Sequence, residues 1–292
     1  MTRQISSPEA VSATNRHYDL PPEVFEAFLD ARMKYTCGLY RTGGESLDEA
    51  QRDKLAYIAR LLHVGAGQRV LDIGCGWGSL AVYLAVEHGC RVTAVTPSRV
   101  QSEYVRDRAA GAGVTGLVTV ETASIYDIDL SGRRFDAVAL VGAIEHMPDH
   151  RTVLTTVAHR LRRGGRMYLS ASCYRDESTF ARYADHPGSR HVTDKIFGYG
   201  VLRPLSRLVA AAEDAGLSVS TVLDLTAHYR RTIEDWSARA AAHRDRIDAA
   251  VPGLADDLLR YFTITNSGWG YTTKQYALTA IRSREGETEL VR

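Results

Sequence analysis

Two glycines and an acid give the first chemical lead. In Val70-Leu71-Asp72-Ile73-Gly74-Cys75-Gly76-Trp77-Gly78 an apolar run ends in a G-x-G-x-G turn. Gly74 and Gly76 let the backbone turn tightly and approach a ligand closely. A dinucleotide site calls for G-x-G-x-x-G, with pyrophosphate on the helix that follows. The spacing here differs, and Asp72 would repel a phosphate. An acid ahead of such a turn suits the ammonium of an amino-acid end, as in S-adenosylmethionine. A second lead is Glu145, in Gly142-Ala143-Ile144-Glu145-His146. This stretch follows another apolar run, which places Glu145 at the ligand edge of an open sheet, where a buried carboxylate can act as a base. His146 beside it reads as structural.

The elements that must position these residues alternate from residue 69 onward. Strands are predicted at Arg69 to Ile73, Arg91 to Val95, Leu117 to Glu121, Phe135 to Val141 and Met167 to Ser172. Helices are predicted at Ser79 to His88, Ser98 to Ala112 and Arg151 to Leu161, the last closed by Gly164-Gly165. This rhythm predicts parallel βαβ units, hence a doubly wound, mostly parallel α/β sheet of the Rossmann-like type over residues 60–175. Upstream, residues 1–16 read as a loose arm and Glu23 to Asp30 as a short helix. Ser46-Leu47-Asp48-Glu49 is a capping box opening a helix with Leu55, Ile58 and Leu62 on one stripe. Residues 174–203 have no clear period and read as a long loop acting as a lid. A helix at Arg203 to Gly216, a strand at Leu217 to Leu223, helices at 229–249 and 253–262 and a last strand at Thr273 to Ile281 follow. The organisation expected is one domain over 17–282, with residues 174–270 as lid and substrate cover and 283–292 as a charged tail.

Composition narrows the partners. Of 292 residues, 36 are Lys or Arg and 35 Asp or Glu, a net charge of +1 that argues against a general nucleic-acid binder. Only four of the basic residues are Lys. The four Cys are scattered, without a C-x-x-C pair or metal-ligand spacing, which fits a reducing cytoplasm. Met1 to Leu20 has no apolar core of signal-peptide length, and no apolar run is long enough to span a bilayer. A small-molecule or lipid substrate is therefore expected to be met in solution or at a membrane surface. The sequence leaves open whether the chain forms a homo-oligomer.

Five blocks in order resemble the cyclopropane-fatty-acid and mycolic-acid cyclopropane synthases, which are S-adenosylmethionine-dependent methyltransferases of the seven-stranded class. They are His17-Tyr18-Asp19-Leu20 through Met33-Lys34-Tyr35-Thr36-Cys37 (M-x-Y-S-C in the family), the Asp72 to Gly78 glycine turn, Val95-Thr96-Pro97-Ser98-Arg99-Val100-Gln101 (V-T-x-S-x-x-Q), Gly142 to His146 (G-x-x-E-H) and His228-Tyr229-Arg230-Arg231-Thr232-Ile233-Glu234-Asp235-Trp236 (Y-x-x-T-L-x-x-W). The resemblance covers residues 17–282. It implies that Tyr35 and Thr36 close over the methionine end of the cofactor and that Gly74 and Gly76 bring the backbone against it. Thr96 and Gln101 hold the ribose region, while Ser124, where the family has Asp, and Ile125 flank the adenine. The implied chemistry is methyl transfer to a carbon–carbon double bond through a carbocation. In the family a bicarbonate serves as the base, held by residues matching Glu145, Tyr229, the Cys37 backbone and a His on strand five.

That His is absent from Arg166 to Cys173, where Ala171 or Ser170 takes its place. Glu145 is then left to act directly, through Tyr229 or through a water. The family lid Ile-Phe-Pro-Gly-Gly-x-Leu-Pro reads Ile196-Phe197-Gly198-Tyr199-Gly200-Val201-Leu202-Arg203, without either proline. Arg175, Arg182, Arg190, His191 and Lys195 lie upstream of it and offer a grip for an anionic substrate end, with a solvated loop as the competing reading. Tyr174, Phe197, Tyr199 and Trp269, with Tyr271, are candidates for the substrate wall. These departures, and a sequence without the family's N-terminal lipid-binding domain, point to a specialised relative. The expected activity is C-methylation of an unsaturated or isoprenoid-type metabolite. Cyclopropanation of an acyl chain, or O- or N-methylation of a small molecule, stands as the alternative.

Overall fold

The computed structural model describes residues 6–283. The tail expected from Arg284 lies outside the described residues. The chain enters through α1 (Ser7–Tyr18), α2 (Pro22–Glu26) and α3 (Leu47–Leu62), and then alternates β1 (Arg69–Ile73), α4 (Ser79–His88), β2 (Arg91–Thr96), α5 (Arg99–Gly111), β3 (Val118–Thr122), β4 (Phe135–Val141), α6 (His150–Arg160) and β5 (Leu161–Tyr174). After β5 come α7 (Glu177–Tyr183), α8 (Pro187–Arg190), a π-helical turn (His191–Ile196), α9 (Leu205–Asp214), β6 (Leu217–Asp224), α10 (Thr226–Ala242), α11 (Arg244–Ala250), α12 (Leu254–Gly268) and β7 (Thr273–Arg282). The seven strands run in the order β3-β2-β1-β4-β5-β7-β6. All pairings are parallel except those of β7, which lies antiparallel between β5 and β6. Strand order reverses between β1 and β4, so a crevice opens outside the carboxyl ends of these two strands, where open α/β sheets bind ligands.

The central strands are buried on both faces and read as Val-, Leu- and Ala-rich runs, as parallel strands covered by helices must. One apolar cluster packs α3, α4 and α5 onto the sheet, and a second packs α6 and α9 onto the other face. A third lies over the carboxyl edge, where Phe25 and Phe28 meet Trp77, Trp236 and Phe262. This cover is built from α2, α10, α11 and α12.

Several expectations need correction. Residues 7–18 are a helix, not a loose arm. Ser6 and Glu9 form a capping box and Pro8 sits in the first turn, where its missing N–H costs nothing. The segment 174–203 is folded rather than a loop. Asp176 accepts the Thr179 N–H (2.7 Å) to start α7, and His186 accepts the Gly188 N–H (3.3 Å) to start α8. The helix expected at 229–249 breaks at His243. Gly164, at φ +75°, does not close α6 but lies in a register shift inside β5.

Candidate active site

The glycine turn is built as its sequence requires. Gly74, Gly76 and Gly78 have φ of +72°, +55° and +76°, a region that side chains disfavour. A Cβ on Gly74 would lie 2.5 Å from the Ala143 Cβ, which brings the ends of β1 and β4 together. Gly76 faces open space. Across the crevice, Asp30 accepts the N–H groups of Arg32 (3.0 Å) and Lys34 (2.7 Å) and holds the turn that delivers Tyr35 and Thr36. Met33 adopts φ +56° in that turn, a strained conformation for a residue with a side chain. The Thr36 hydroxyl accepts from Nζ of the buried Lys54 (2.7 Å), and its carbonyl accepts from Gln51 (2.7 Å).

These parts enclose a cleft lined by Tyr35, Thr36, Gly74, Gly76, Thr96, Gln101, Ser124 and Ile125, together with Val11, Thr14, Asn15 and Tyr18 of α1. Thr96 donates to Gln101 Oε1 (2.8 Å), which fixes both side chains. Asp72, expected on the cofactor, does not line the cleft. It is buried under the glycine turn without a hydrogen-bond partner on either oxygen. Burial lifts its pKa to about 6 against the opposing pull of Lys34. Its charge therefore acts from beneath the turn, balanced by Lys34.

A second cavity, about 460 Å³, lies on the far side of Tyr18, Tyr35, Thr36, Gly142 and His146, which line both spaces. That volume suits a small organic molecule or a chain segment. Its walls are aromatic: Tyr18, Tyr35, Tyr174, Phe197, Tyr229, Tyr261 and Trp269. Glu145 is the one carboxylate among the described lining residues, and they include neither Lys nor Arg. Glu145 Oε1 accepts the Ser172 N–H (2.7 Å), while Oε2 is buried without a partner. Burial pushes its pKa up to about 7, against the lowering effect of that N–H. Tyr229 packs on Trp269 with ring centroids 4.8 Å apart and planes tilted by 36°, and burial holds its phenol well above the usual range.

The structure separates the remaining candidates. Cys37 lines neither cavity. Its thiol is buried and donates to the Gly38 carbonyl (3.1 Å). Arg175 pairs with Asp176 (3.0 Å) and Arg190 with Asp185 (3.7 Å), Arg182 covers the Tyr183 ring and Lys195 is exposed. None of these, nor His191, lines the cavity, so the expected anion grip is not assembled. The charges lie where water and surface acids satisfy them. Tyr199 contributes its carbonyl rather than its ring, accepting from His146 Nδ1 (2.9 Å), and Tyr271 is 74% exposed. Ala171 and Ser170, the expected substitutes for the missing His, also stay outside, and Ser172 takes that wall, donating to Gln275 Oε1 (2.9 Å). Sequence reading missed Tyr18, Asn15, Tyr261 and Gln275, and assigned His146 to structure. Tyr18 and His146 lie inside motif blocks, and that placement was the available signal.

Among the described residues, no cluster of His, Cys, Asp and Glu has the geometry to hold a metal ion, and no helix is long and apolar enough to cross a membrane. Residues 5–275 match the family model described as mycolic acid cyclopropane synthetase. The chain is 31% identical over 266 residues to a probable fatty acid methyltransferase of Pseudomonas putida, covering 89% of this chain and 65% of that protein. It is 29% identical over 248 residues to the cyclopropane-fatty-acyl-phospholipid synthase of Escherichia coli K12, covering 84% and 59%. The chain thus spans less than two thirds of the length of these curated relatives. In fold it is similar to the mycolic acid cyclopropane synthase CmaA1 complexed with SAH and CTAB, with TM-score 0.85, 23% identity and coverage of 93% of this chain and 98% of that one.

Proposed function

Given that the chain belongs to the mycolic acid cyclopropane synthetase family, we propose that it is an S-adenosylmethionine-dependent C-methyltransferase acting on a carbon–carbon double bond of an uncharged, unsaturated chain of acyl or isoprenoid type. The observation that carries this reading is Glu145: a buried carboxylate with a partnerless Oε2 on the wall of an aromatic cavity whose described lining residues include no Lys or Arg.

The first cleft fits the cofactor. Gly76 leaves room for a close approach, Thr96 and Gln101 offer polar groups for ribose hydroxyls, and Ser124 and Ile125 lie where a flat base can pack. Bound S-adenosylmethionine supplies an electrophilic methyl group on a sulfonium sulfur. The shared wall of Tyr35, Thr36 and Gly142 sets where the alkene must lie, and placement supplies much of the rate for so poor a nucleophile. The faces of Tyr229, Tyr261 and Trp269 stabilise positive charge on the substrate carbon and keep water from it. Glu145 Oε2 then takes a proton: taken from the transferred methyl carbon, the freed electron pair closes a three-membered ring on the cationic carbon, and taken from a chain carbon next to the cationic centre, it forms a new double bond. The partnerless Glu145 Oε2 and the absence of the family's strand-five His support Glu145 itself as the base.

The test is a substrate panel run with S-adenosylmethionine: a monounsaturated acyl ester, a prenyl alcohol, the matching prenyl diphosphate and a tertiary amine. Turnover of the neutral alkenes with little on the diphosphate is expected. Turnover of the amine alone would overturn C-methylation.

A further inference from the structure

Tyr18 and His146 sit on the wall between the two cavities, and neither has been given a role in the chemistry so far. His146 Nδ1 is 2.9 Å from the Tyr199 carbonyl, and Nε2 is 3.0 Å from the Tyr18 hydroxyl. A carbonyl can only accept, so Nδ1 carries the proton. Burial disfavours a second proton on the ring. Nε2 is then a bare acceptor, and the Tyr18 hydroxyl must donate to it. No other partner of that hydroxyl occurs among the described residues. Phe197 covers His146 with ring centroids 5.3 Å apart and closes off water from that side.

We propose that Tyr18 and His146 form a positioning pair for the methyl group: the Tyr199 carbonyl fixes the His146 tautomer, His146 draws the Tyr18 proton away, and the phenol oxygen is left as an acceptor-only group on the boundary the methyl must cross. Such an oxygen holds a cationic S–CH₃ group through C–H···O contacts and its dipole. It gains little from the neutral thioether left after transfer. The pair also couples three elements. Tyr18 ends α1, His146 follows β4, and Tyr199 belongs to the segment after the π turn, so the acceptor is set only when α1 and that segment are both docked.

This inference rests on the methyltransferase reading. Its test is calorimetry of the full chain with S-adenosylmethionine and with S-adenosylhomocysteine. Tyr18→Phe is expected to weaken S-adenosylmethionine about fivefold while leaving S-adenosylhomocysteine within about twofold, the scale of a few weak contacts. His146→Ala should do the same, because the phenol proton is then free to turn towards the boundary. His146→Gln, whose amide oxygen can accept in place of Nε2, should restore most of the preference. Equal weakening of both ligands, or no change in either, would overturn the pair's role. Wild-type protein that binds neither ligand would overturn the methyltransferase reading, and this inference with it.

Discussion

At the scale of the residue, Glu145 carries the most specific expectation. A base must be ionised, so turnover at saturating substrate should rise with pH through about 7, the value to which burial lifts this carboxyl. Glu145→Gln keeps the acceptor for the Ser172 N–H and should lower kcat about 10² to 10⁴-fold while barely changing cofactor affinity. The stability sign is the reverse of that for a salt-bridged acid. Because the folded pKa lies above the unfolded one, wild-type stability attributable to this group falls as pH rises from about 4.5 to about 7. Glu145→Gln should therefore melt higher than wild type at pH 8 and lose that advantage near pH 4.5, which thermal melts at the two pH values would check. Wild-type kcat in the variant would remove Glu145 from the chemistry.

At the scale of the element, α1 is the piece that sequence reading misjudged, and the reason is physical. Its polar composition and Pro8 suggest a loop, but the Ser6–Glu9 capping box supplies the helix start, His17 packs on Phe25 and Phe197, and Val11, Thr14, Asn15 and Tyr18 line the first cleft. The βαβ core was legible because buried parallel strands leave long apolar runs and helices leave a stripe. Segment 174–203 was not, because α7 and α8 are only seven and four residues long and rest on single side-chain caps. Gly198 is where that segment and α1 meet. It has φ +69°, and a Cβ there would stand 2.1 Å from the Ala13 carbonyl oxygen. Gly198→Ala should undock α1 at a cost of about 1–3 kcal/mol in local strain. Hydrogen exchange should quicken in residues 7–18, cofactor affinity should weaken, and the sheet amides should stay protected.

At the scale of the whole molecule, charge and core do separate jobs. The Arg-rich surface is spent on exposed pairs such as Arg151–Asp214 (2.7 Å) and Arg207–Glu177 (2.6 Å), each contributing about 0–1 kcal/mol. Since no Lys or Arg among the described residues lines the second cavity, raising salt should leave kcat/KM for a neutral alkene nearly unchanged, and Arg175→Gln should be silent. A steep loss with salt would mean that the charges steer the substrate after all. The cover depends instead on buried aromatics. Trp236 is fully buried against Phe28, Tyr229 and Phe262, so Trp236→Ala should cost about 3–5 kcal/mol in denaturant unfolding. Four of the five motif blocks supply residues that line the first cleft, among them Tyr35, Gly74, Thr96 and Gly142, whereas Val11, Thr14 and Asn15 lie in no block. The substrate wall was legible only in part, because it is assembled from distant segments: Ser172, Tyr261 and Gln275 carry no motif that marks them.

The central claim is carbon methylation with proton loss to a buried carboxylate. Its most direct measurement uses S-adenosylmethionine deuterated in the methyl group and a monounsaturated acyl ester, with the product read by NMR and mass spectrometry. The expected product bears the label on a former alkene carbon, with two deuterons if a ring has closed and three if a methyl branch has formed. Label found on nitrogen or oxygen, or an untouched alkene with an enzyme that binds the cofactor, would contradict it.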